Sequence, residues 1–489
     1  MADREELLTI DIVALSDFLG ELEGDTGTGA ALLAAYMNDF KQRNPAGTLI
    51  LDAGDAFQGS LLSTAFRGRP VIELMNAIGY DAMTVGNHEW DWGVEELLEV
   101  MKPARFPLLG ANICLSSGER APWAAPYHLI ERSGLRIGIV GFTTIETLQV
   151  TLKSKLKGYT ICEARDIADE IFREVKNKGA DIIVVLGHLP IYCSPITPDY
   201  YGELVELVRE FHPYIDAAIG GHHLSPCRLN IEGVPLVQTA PKGTMLGHIR
   251  LVYDKSVNQV IQCESELIDL SSNPKGLEPD KIIDGLVRDY QTQLSGRYSE
   301  VIARTAEHWP VAYERQMAIG SCITNVMREK TGADLAFFNA YGIVAGIGPG
   351  PVRMEHVYNV LPYEGNRILV GRMRGEQIYR VIEQSLTLQK GLLQLSGLKV
   401  VYESDSTGGK TIHTIYDSRH RELKSDGWYT VAVNEFLGDG GDGYDVLAHI
   451  RWESVRADIR ELLAADFRGK GSLEPGLDHP YIDRSQSWM

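Results

Sequence analysis

At 489 residues the chain is too long for one ordinary hydrophobic core, so two domains are expected. Its 47 Lys and Arg against 66 Asp and Glu leave a net charge of −19. That excludes a nucleic-acid backbone as the main partner but not a small anionic substrate, because a bound cation inverts the local field.

No apolar run reaches the roughly 18 residues of a membrane helix. The acidic start Met1-Ala2-Asp3-Arg4-Glu5-Glu6 lacks the basic and apolar regions of a secretory signal, so a cytoplasmic protein with no membrane partner is expected. The six cysteines contain no CxxC pair and read as buried free thiols rather than a disulfide framework.

In chain order, the first half repeats one pattern: a strand-length apolar run that ends in a cluster of Asp, Asn, His and Gly. Leu8 to Leu15 ends in Ser16-Asp17, and Thr48 to Leu51 in Asp52-Ala53-Gly54-Asp55. Ala82 to Val85 ends in Gly86-Asn87-His88, and Pro107 to Leu109 in Gly110-Ala111-Asn112. Ile182 to Leu186 ends in Gly187-His188, and Ala217 to Ile219 in Gly220-Gly221-His222-His223. Helical periodicity lies between several of these runs, at Gly29 to Lys41, Val71 to Ala77, Val94 to Met101 and Ala164 to Lys178. The alternation predicts a layered α/β domain, with its chemistry at the carboxyl ends of the strands. Clustered carboxylate, amide and imidazole groups suit a hard or borderline divalent ion. Asp55 can bridge two ions through its two oxygens, and Asn87, His188 and His222 can complete one of the two sites.

From about Glu264 the pattern changes. Pro279 to Leu294 reads as an amphipathic helix, with Ile282, Ile283, Leu286, Val287 and Tyr290 on one face. It follows the turn-rich Ser271 to Gly276 and is expected to link two domains, giving 1–270, a 271–300 linker and 301–489. The second half has a helix from Ile319 to Lys330 and a strand run Asp334 to Phe338 that ends in Asn339. Further strands are expected at Arg367 to Met373, Leu398 to Tyr402 and Trp428 to Val433. Phe436 to Tyr444 holds four glycines in nine residues, a loop that must pass close to something. The tail from Arg468 reads as loosely ordered or surface-draped.

These blocks resemble the 5'-nucleotidase family, whose first half is a calcineurin-like metallophosphoesterase domain. Gly54-Asp55, Gly86-Asn87-His88-Glu89-Trp90-Asp91, Gly187-His188 and Gly220-Gly221-His222 are similar to its metallophosphoesterase blocks in order. Thr331-Gly332-Ala333-Asp334 to Asn339, Leu361-Pro362-Tyr363 and Gly440-Gly441-Asp442-Gly443-Tyr444 are similar to its C-terminal nucleotide-binding domain. The resemblance implies an α/β (α+β) fold: a four-layer β-sandwich flanked by helices, a linker helix, then a mixed α/β C-terminal domain. It implies a divalent cofactor, one or two ions of Mn, Mg, Zn, Co or Ni. Asp17 and Asp55 would serve the first ion; Asp55, Asn87, His188 and His222 would serve the second. His88 and Asp91 match the catalytic pair. Tyr363 and Phe436 match two rings that stack on a base, Asn366 a base-edge contact, Asp442 a ribose contact, and Asn339 opens the substrate-binding run. The partner implied is a nucleotide or nucleoside derivative, held in a cleft between the domains.

The chain also departs from that family. Asp17-Phe18-Leu19 stands where Asp-x-His is expected, and Gly221-His222-His223-Leu224 where Gly-His-x-His is expected. Both leucines fall on the first ion, which predicts a single-metal centre unless a bent loop lets His223 substitute. Val344 and Tyr313 stand where the family has phosphate-reading arginines, and Tyr341 replaces a glycine. Three readings follow: a metal-dependent phosphoesterase acting on nucleotides or related derivatives, a non-hydrolytic relative that binds a nucleoside-like ligand, and a hydrolase of a less charged substrate.

Overall fold

The computed structural model describes residues 7–24, 28–193, 199–294, 296, 298–363, 367–476 and 479–486. The chain divides into two compact units, Met1–Leu294 and Ser295–Met489.

The first unit is a four-layer α-β-β-α sandwich. Among the described residues one six-stranded sheet runs Gln259–Asp269, Met245–Asp254, Leu7–Leu15, Thr48–Asp52, Ala82–Thr84, Leu108–Leu109. The second runs Cys227–Ile231, Val234–Gln238, Ala217–Gly220, Ile182–His188, Leu135–Thr143, Tyr127–Arg132. The central strands are parallel, with Leu15 opposite Asp52 and Thr143 opposite His188. Parallel strands covered on both faces read as continuous apolar runs, which is why Ile10 to Leu15 and Ile182 to Leu186 show no alternation.

Ile10, Ile12, Leu49 and Leu51 of one sheet interdigitate with Ile137, Ile139, Ile182 and Val184 of the other. Helices Gly29–Arg43, Arg69–Ile78 and Val94–Met101 cover the outer face of the first sheet, and Ala164–Asn177 and Glu203–Phe211 that of the second. The expected linking helix is Lys281–Leu294; it buries Ile283, Val287 and Tyr290 in the core beneath the first sheet's helices. Two cross-sheet bonds register the carboxyl ends: Thr84 Oγ1 donates to Leu186 O at 2.7 Å, and Thr143 Oγ1 to Val85 O at 2.7 Å. These bonds bring the loops after Ala82–Thr84 and Ile182–His188 to the same place.

The second unit is built on a mixed sheet in the order Gln394–Ser396, Leu335–Phe338, Trp428–Asn434, Arg367–Arg374, Trp452–Asp458. Helices Ala318–Thr331 and Ile459–Lys470 pack on one face and Gly375–Leu386 on the other. The described part of the segment after Arg468 does lie largely at the surface, but strand pairing holds it in place rather than leaving it loosely ordered. Leu473 pairs with Thr305, Tyr481 pairs with Val400, and the Tyr481 hydroxyl donates to Leu393 O at 2.8 Å. Backbone pairing absorbs a stretch whose side-chain pattern is too polar to read as strand. The cysteines are free, but only Cys114 is fully buried and Cys193 is exposed. Among the described residues no helix is long and apolar enough to cross a membrane.

Candidate active site

Strand ends and loops at the carboxyl edges of the two sheets bring the polar clusters of the first unit together. Asp55 follows Thr48–Asp52, Asn87 follows Ala82–Thr84, His188 ends Ile182–His188, and His222 follows Ala217–Gly220. Asp55, His188 and His222 offer ligand atoms that all lie within 4.8 Å of one another. The Asn87 amide oxygen lies 3.1 Å from His188 Nε2 and 2.8 Å from His222 Nδ1. Asp55 Oδ2 is 3.2 Å from His188 Nε2.

The far nitrogen of each imidazole is already held. His188 Nδ1 donates to Ala53 O at 2.8 Å, and His222 Nε2 faces Glu146 Oε2 at 3.3 Å. These partners hold the far nitrogens, leaving His188 Nε2 and His222 Nδ1 facing the cluster, where a bound cation would displace any proton and take their lone pairs. One carboxylate, one amide oxygen and two oriented imidazoles fit a borderline divalent cation.

Backbone geometry confirms how closely the cluster is fitted. Asp17, Asp55 and His222 sit in the left-handed region at φ 54°, 56° and 71°. Asp17 N donates to Gly54 O at 3.0 Å, and His222 N donates to Asp17 Oδ2 at 3.2 Å. Glu89, fully buried, accepts from Asp55 N at 2.8 Å, Ala56 N at 2.9 Å and Gly86 N at 2.6 Å. It thereby fixes the Asp55 turn from below.

Charges are strongly coupled here. Burial pushes the Asp17 carboxyl up, and burial with the Asp55 charge pushes Glu89 up to about 7. Burial opposes charge on His188, yet Asp55 outweighs it and raises the imidazole to about 9. Burial likewise opposes charge on His88, but Asp91 and Asp55 raise it to about 10. His88 Nδ1 is 2.8 Å from Asp91 Oδ2, and His88 N donates to Asp55 Oδ1 at 2.7 Å. The proton-carrying imidazole is thus tied to the cluster through its own backbone.

Glu89 and Glu146 are functional residues that sequence reasoning missed. Glu89 lies inside a recognised block, but no pattern announces a carboxylate that turns back onto backbone N–H groups. Glu146 reaches His222 across 76 positions and holds the Tyr192 hydroxyl at 2.8 Å. His223 does not join the cluster: the chain bends at His222 (φ 71°), and the His223 ring packs on Tyr192 at 4.7 Å.

The second unit assembles a smaller polar group. Asn339 and Asn434 end adjacent parallel strands, and Asn434 Nδ2 donates to Asn339 Oδ1 at 2.9 Å. Asn339 Nδ2 reaches Asp442 Oδ2 at 3.5 Å. Burial raises Asp442 to about 6, with the Lys390 charge and the Asn339 bond pulling the other way. Phe436 stands over Gly441, where a Cβ would meet the ring at 2.5 Å. That close approach is what the glycine-rich loop provides. Tyr363 is half-buried just beyond the Met354–Val360 helix, and Asn366 lies outside the described residues.

Residues 22–226 match the calcineurin-like phosphoesterase model, and residues 301–449 match the 5'-nucleotidase C-terminal domain model. The chain belongs to the 5'-nucleotidase family. It is 28% identical over 491 residues to a snake venom 5'-nucleotidase from Naja atra, covering 88% of each chain. It is 26% identical over 422 residues to Endonuclease YhcR of Bacillus subtilis, covering 83% of this chain but only 34% of that longer protein. The crystal structure of a 5'-nucleotidase precursor from Thermus thermophilus superposes with a TM-score of 0.81 at 26% identity, covering 97% of this chain and 99% of that one.

Against this family the departures take on a location. Leu224 is half-exposed, and Leu19 holds a left-handed turn at φ 53° whose carbonyl accepts Ser60 N. In the second unit the Tyr313 and Tyr341 rings meet at 4.6 Å with their planes tilted by 50°, and the Tyr313 hydroxyl donates to Ile343 O at 3.3 Å. An aromatic pair therefore occupies positions where the 5'-nucleotidase family carries a phosphate-reading arginine and a glycine.

Proposed function

We propose that this chain hydrolyses phosphate esters of a nucleotide or nucleoside derivative at a centre holding one divalent cation. The observation that carries the reading is the convergence of Asp55, Asn87, His188 and His222, with both imidazoles oriented by partners on their far nitrogens, beside the His88–Asp91 pair. Those four residues would hold the ion. A divalent ion there would supply Lewis acidity toward the phosphoryl group and an activated water.

The residues of the chain do the rest. His88, held protonated by Asp91 and Asp55, donates to the phosphoryl or leaving oxygen as charge develops on it. Asp91 fixes the ring so that Nε2 carries that proton outward. Glu146 holds the far nitrogen of His222, and Glu89 keeps the Asp55 turn closed. In the second unit Phe436 and Tyr363 offer aromatic faces to a base, and Asp442 with Asn339 offers acceptors and donors to a ribose. Among the family's positions for a first ion, Asp17 and the shared Asp55 remain, while Leu19 and Leu224 contribute no donor.

A second reading rests on the Tyr313–Tyr341 contact and Val344. Without the two family arginines, the site favours a substrate with fewer negative charges, or a nucleoside-like ligand that is bound and not turned over.

The test is elemental analysis of protein purified without chelator, repeated on the Leu19→His/Leu224→His double variant, with hydrolysis of nucleoside monophosphates and a singly charged aryl phosphodiester measured on both. One ion per chain with metal-dependent turnover, rising to two ions in the double variant, is expected. Adenosine binding with no turnover of any ester under any of Mn, Mg, Co, Ni or Zn would replace the hydrolase reading with the binding one.

A further inference from the structure

The first unit contains a pair of thiols that the hydrolytic site does not use. Strand Ile113–Leu115 pairs antiparallel with Tyr159–Ile161, with Ile113 opposite Ile161 and Cys114 opposite Thr160. Cys162 N extends the ladder by donating to Asn112 O at 2.9 Å. Cys162 therefore stands two positions along from the partner of Cys114, on the same face of the two-stranded ribbon. Diagonal neighbours on one face are within reach of each other, and the Cys114 and Cys162 sulfurs lie 3.2 Å apart. A disulfide needs about 2.05 Å, so the sulfurs have only a small distance to close.

We infer that Cys114 and Cys162 form a site of thiol–disulfide exchange with low-molecular-weight disulfides, closing to a bond that clips these two strands together.

The two thiols differ in access, which assigns their roles. Cys162 is half-buried and Cys114 is 5% exposed. Cys162, as thiolate, attacks one sulfur of the small disulfide; that S–S bond breaks, and one small thiolate leaves and takes up a proton. Cys114 then gives up its proton and attacks the Cys162 sulfur of the mixed disulfide, expelling the second small thiol. Two protein thiols are oxidised and one small disulfide is reduced to two thiols, so atoms and electrons balance. Burial and the neighbouring Cys162 thiol push the Cys114 thiol up to about 11, with the Arg120 guanidinium opposing them only in part, so Cys114 is the resolving and not the attacking thiol.

The clip reaches the centre through one side chain. Asn112 Nδ2 donates to Thr143 O at 2.7 Å and to Cys162 O at 2.8 Å, and Asn112 Oδ1 accepts from Thr143 N at 2.8 Å. Thr143 ends the strand that leads into Glu146. Oxidation fastens the support of that strand end without touching a residue of the cation cluster.

The test uses the full reduced chain, equilibrated anaerobically with oxidised and reduced glutathione over a range of ratios, then alkylated, weighed and peptide-mapped. Two of the six thiols should disappear together, with a mass loss of about 2 Da and one crosslinked peptide joining Cys114 to Cys162. Cys114→Ser should stop at a glutathione adduct on Cys162. Retention of all six thiols at the most oxidising ratio, a crosslink to Cys193 or any other cysteine, or a stable glutathione adduct on Cys162 in the unmodified chain would each overturn the inference.

Discussion

Replacing Gly86 by alanine places a methyl group 2.2 Å from Asp55 Oδ1 and 2.5 Å from Asp55 N, where ordinary contact begins at 3.4 Å. The backbone of Gly86 lies outside the left-handed region, so the penalty is steric alone. To relieve it the Asp55 carboxylate must retreat by about 1.2 Å, the difference between those contacts. That retreat breaks the 2.7 Å bond from His88 N and moves Oδ2 away from His188 Nε2. Overpacking costs about 1–3 kcal/mol, and a lost bond to a charged group about 1.5–3 kcal/mol. The sum is roughly 2.5–6 kcal/mol if the two costs add. Urea unfolding of the cation-free protein should show a loss of that order at unchanged m-value. Titration calorimetry with Mn should show affinity falling by at least about 30-fold, roughly 2 kcal/mol of ligand misplacement. An alanine variant within about 0.5 kcal/mol of the unmodified protein, binding the ion equally well, would refute the idea that Gly86 exists to seat Asp55.

The same substitution should have the opposite sign at Gly285, which lies inside helix Lys281–Leu294 with nothing within 4 Å of a built Cβ; Gly285→Ala should stabilise by about 0.5–1 kcal/mol in urea unfolding. Burial raises Glu203 to about 7 from the usual 4.5, so its stabilising contribution is complete below about pH 4.5 and is lost as pH rises through about 7. Glu203→Gln should flatten up to about 3 kcal/mol of that loss, read as the difference between urea midpoints at about pH 5 and about pH 8. Gly441→Ala should displace the Phe436 ring and weaken adenosine binding by about tenfold, while ion stoichiometry stays unchanged; equal adenosine affinity would remove Phe436 from the ligand site. Asp11 is buried, yet its bonds to His248, Arg250 and Asn44 hold its carboxyl below the usual range. Stability from Asp11 is therefore present above about pH 4 and lost as pH falls further, and Asp11→Asn should remove that acid dependence from the unfolding curve.

What the sequence disclosed follows from how directly each group is tied to a strand. Asp55, Asn87, His188 and His222 each stand within three residues of a buried strand's end, so apolar runs that stop at polar clusters point to all four. The Val94–Met101 helix has the bounds its periodicity predicts, because the positions that it buries, Val94 and Leu97, are apolar ones of that pattern. Glu146 and Tyr192 were illegible because their partners come from a different strand and a different loop. The left-handed turns at Asp17 and Asp55 leave no trace, since the residues that adopt them are not glycine. The strands at Ser472–Leu473 and Tyr481–Asp483 were missed because pairing partners hold them, not apolar patterning.

Those left-handed turns have a further meaning. An Asp or His at φ 54° to 71° costs on the order of 1 kcal/mol more than glycine would at the same place. Random substitution in a lineage with no use for these side chains would be rewarded at Asp17, Asp55 and His222 each time glycine arrived, with the fold intact and slightly firmer. Glycine at the three should therefore raise the melting temperature while ending cation binding, whereas glycine at Leu19, which shares the left-handed turn at φ 53°, should raise it and leave the ion in place.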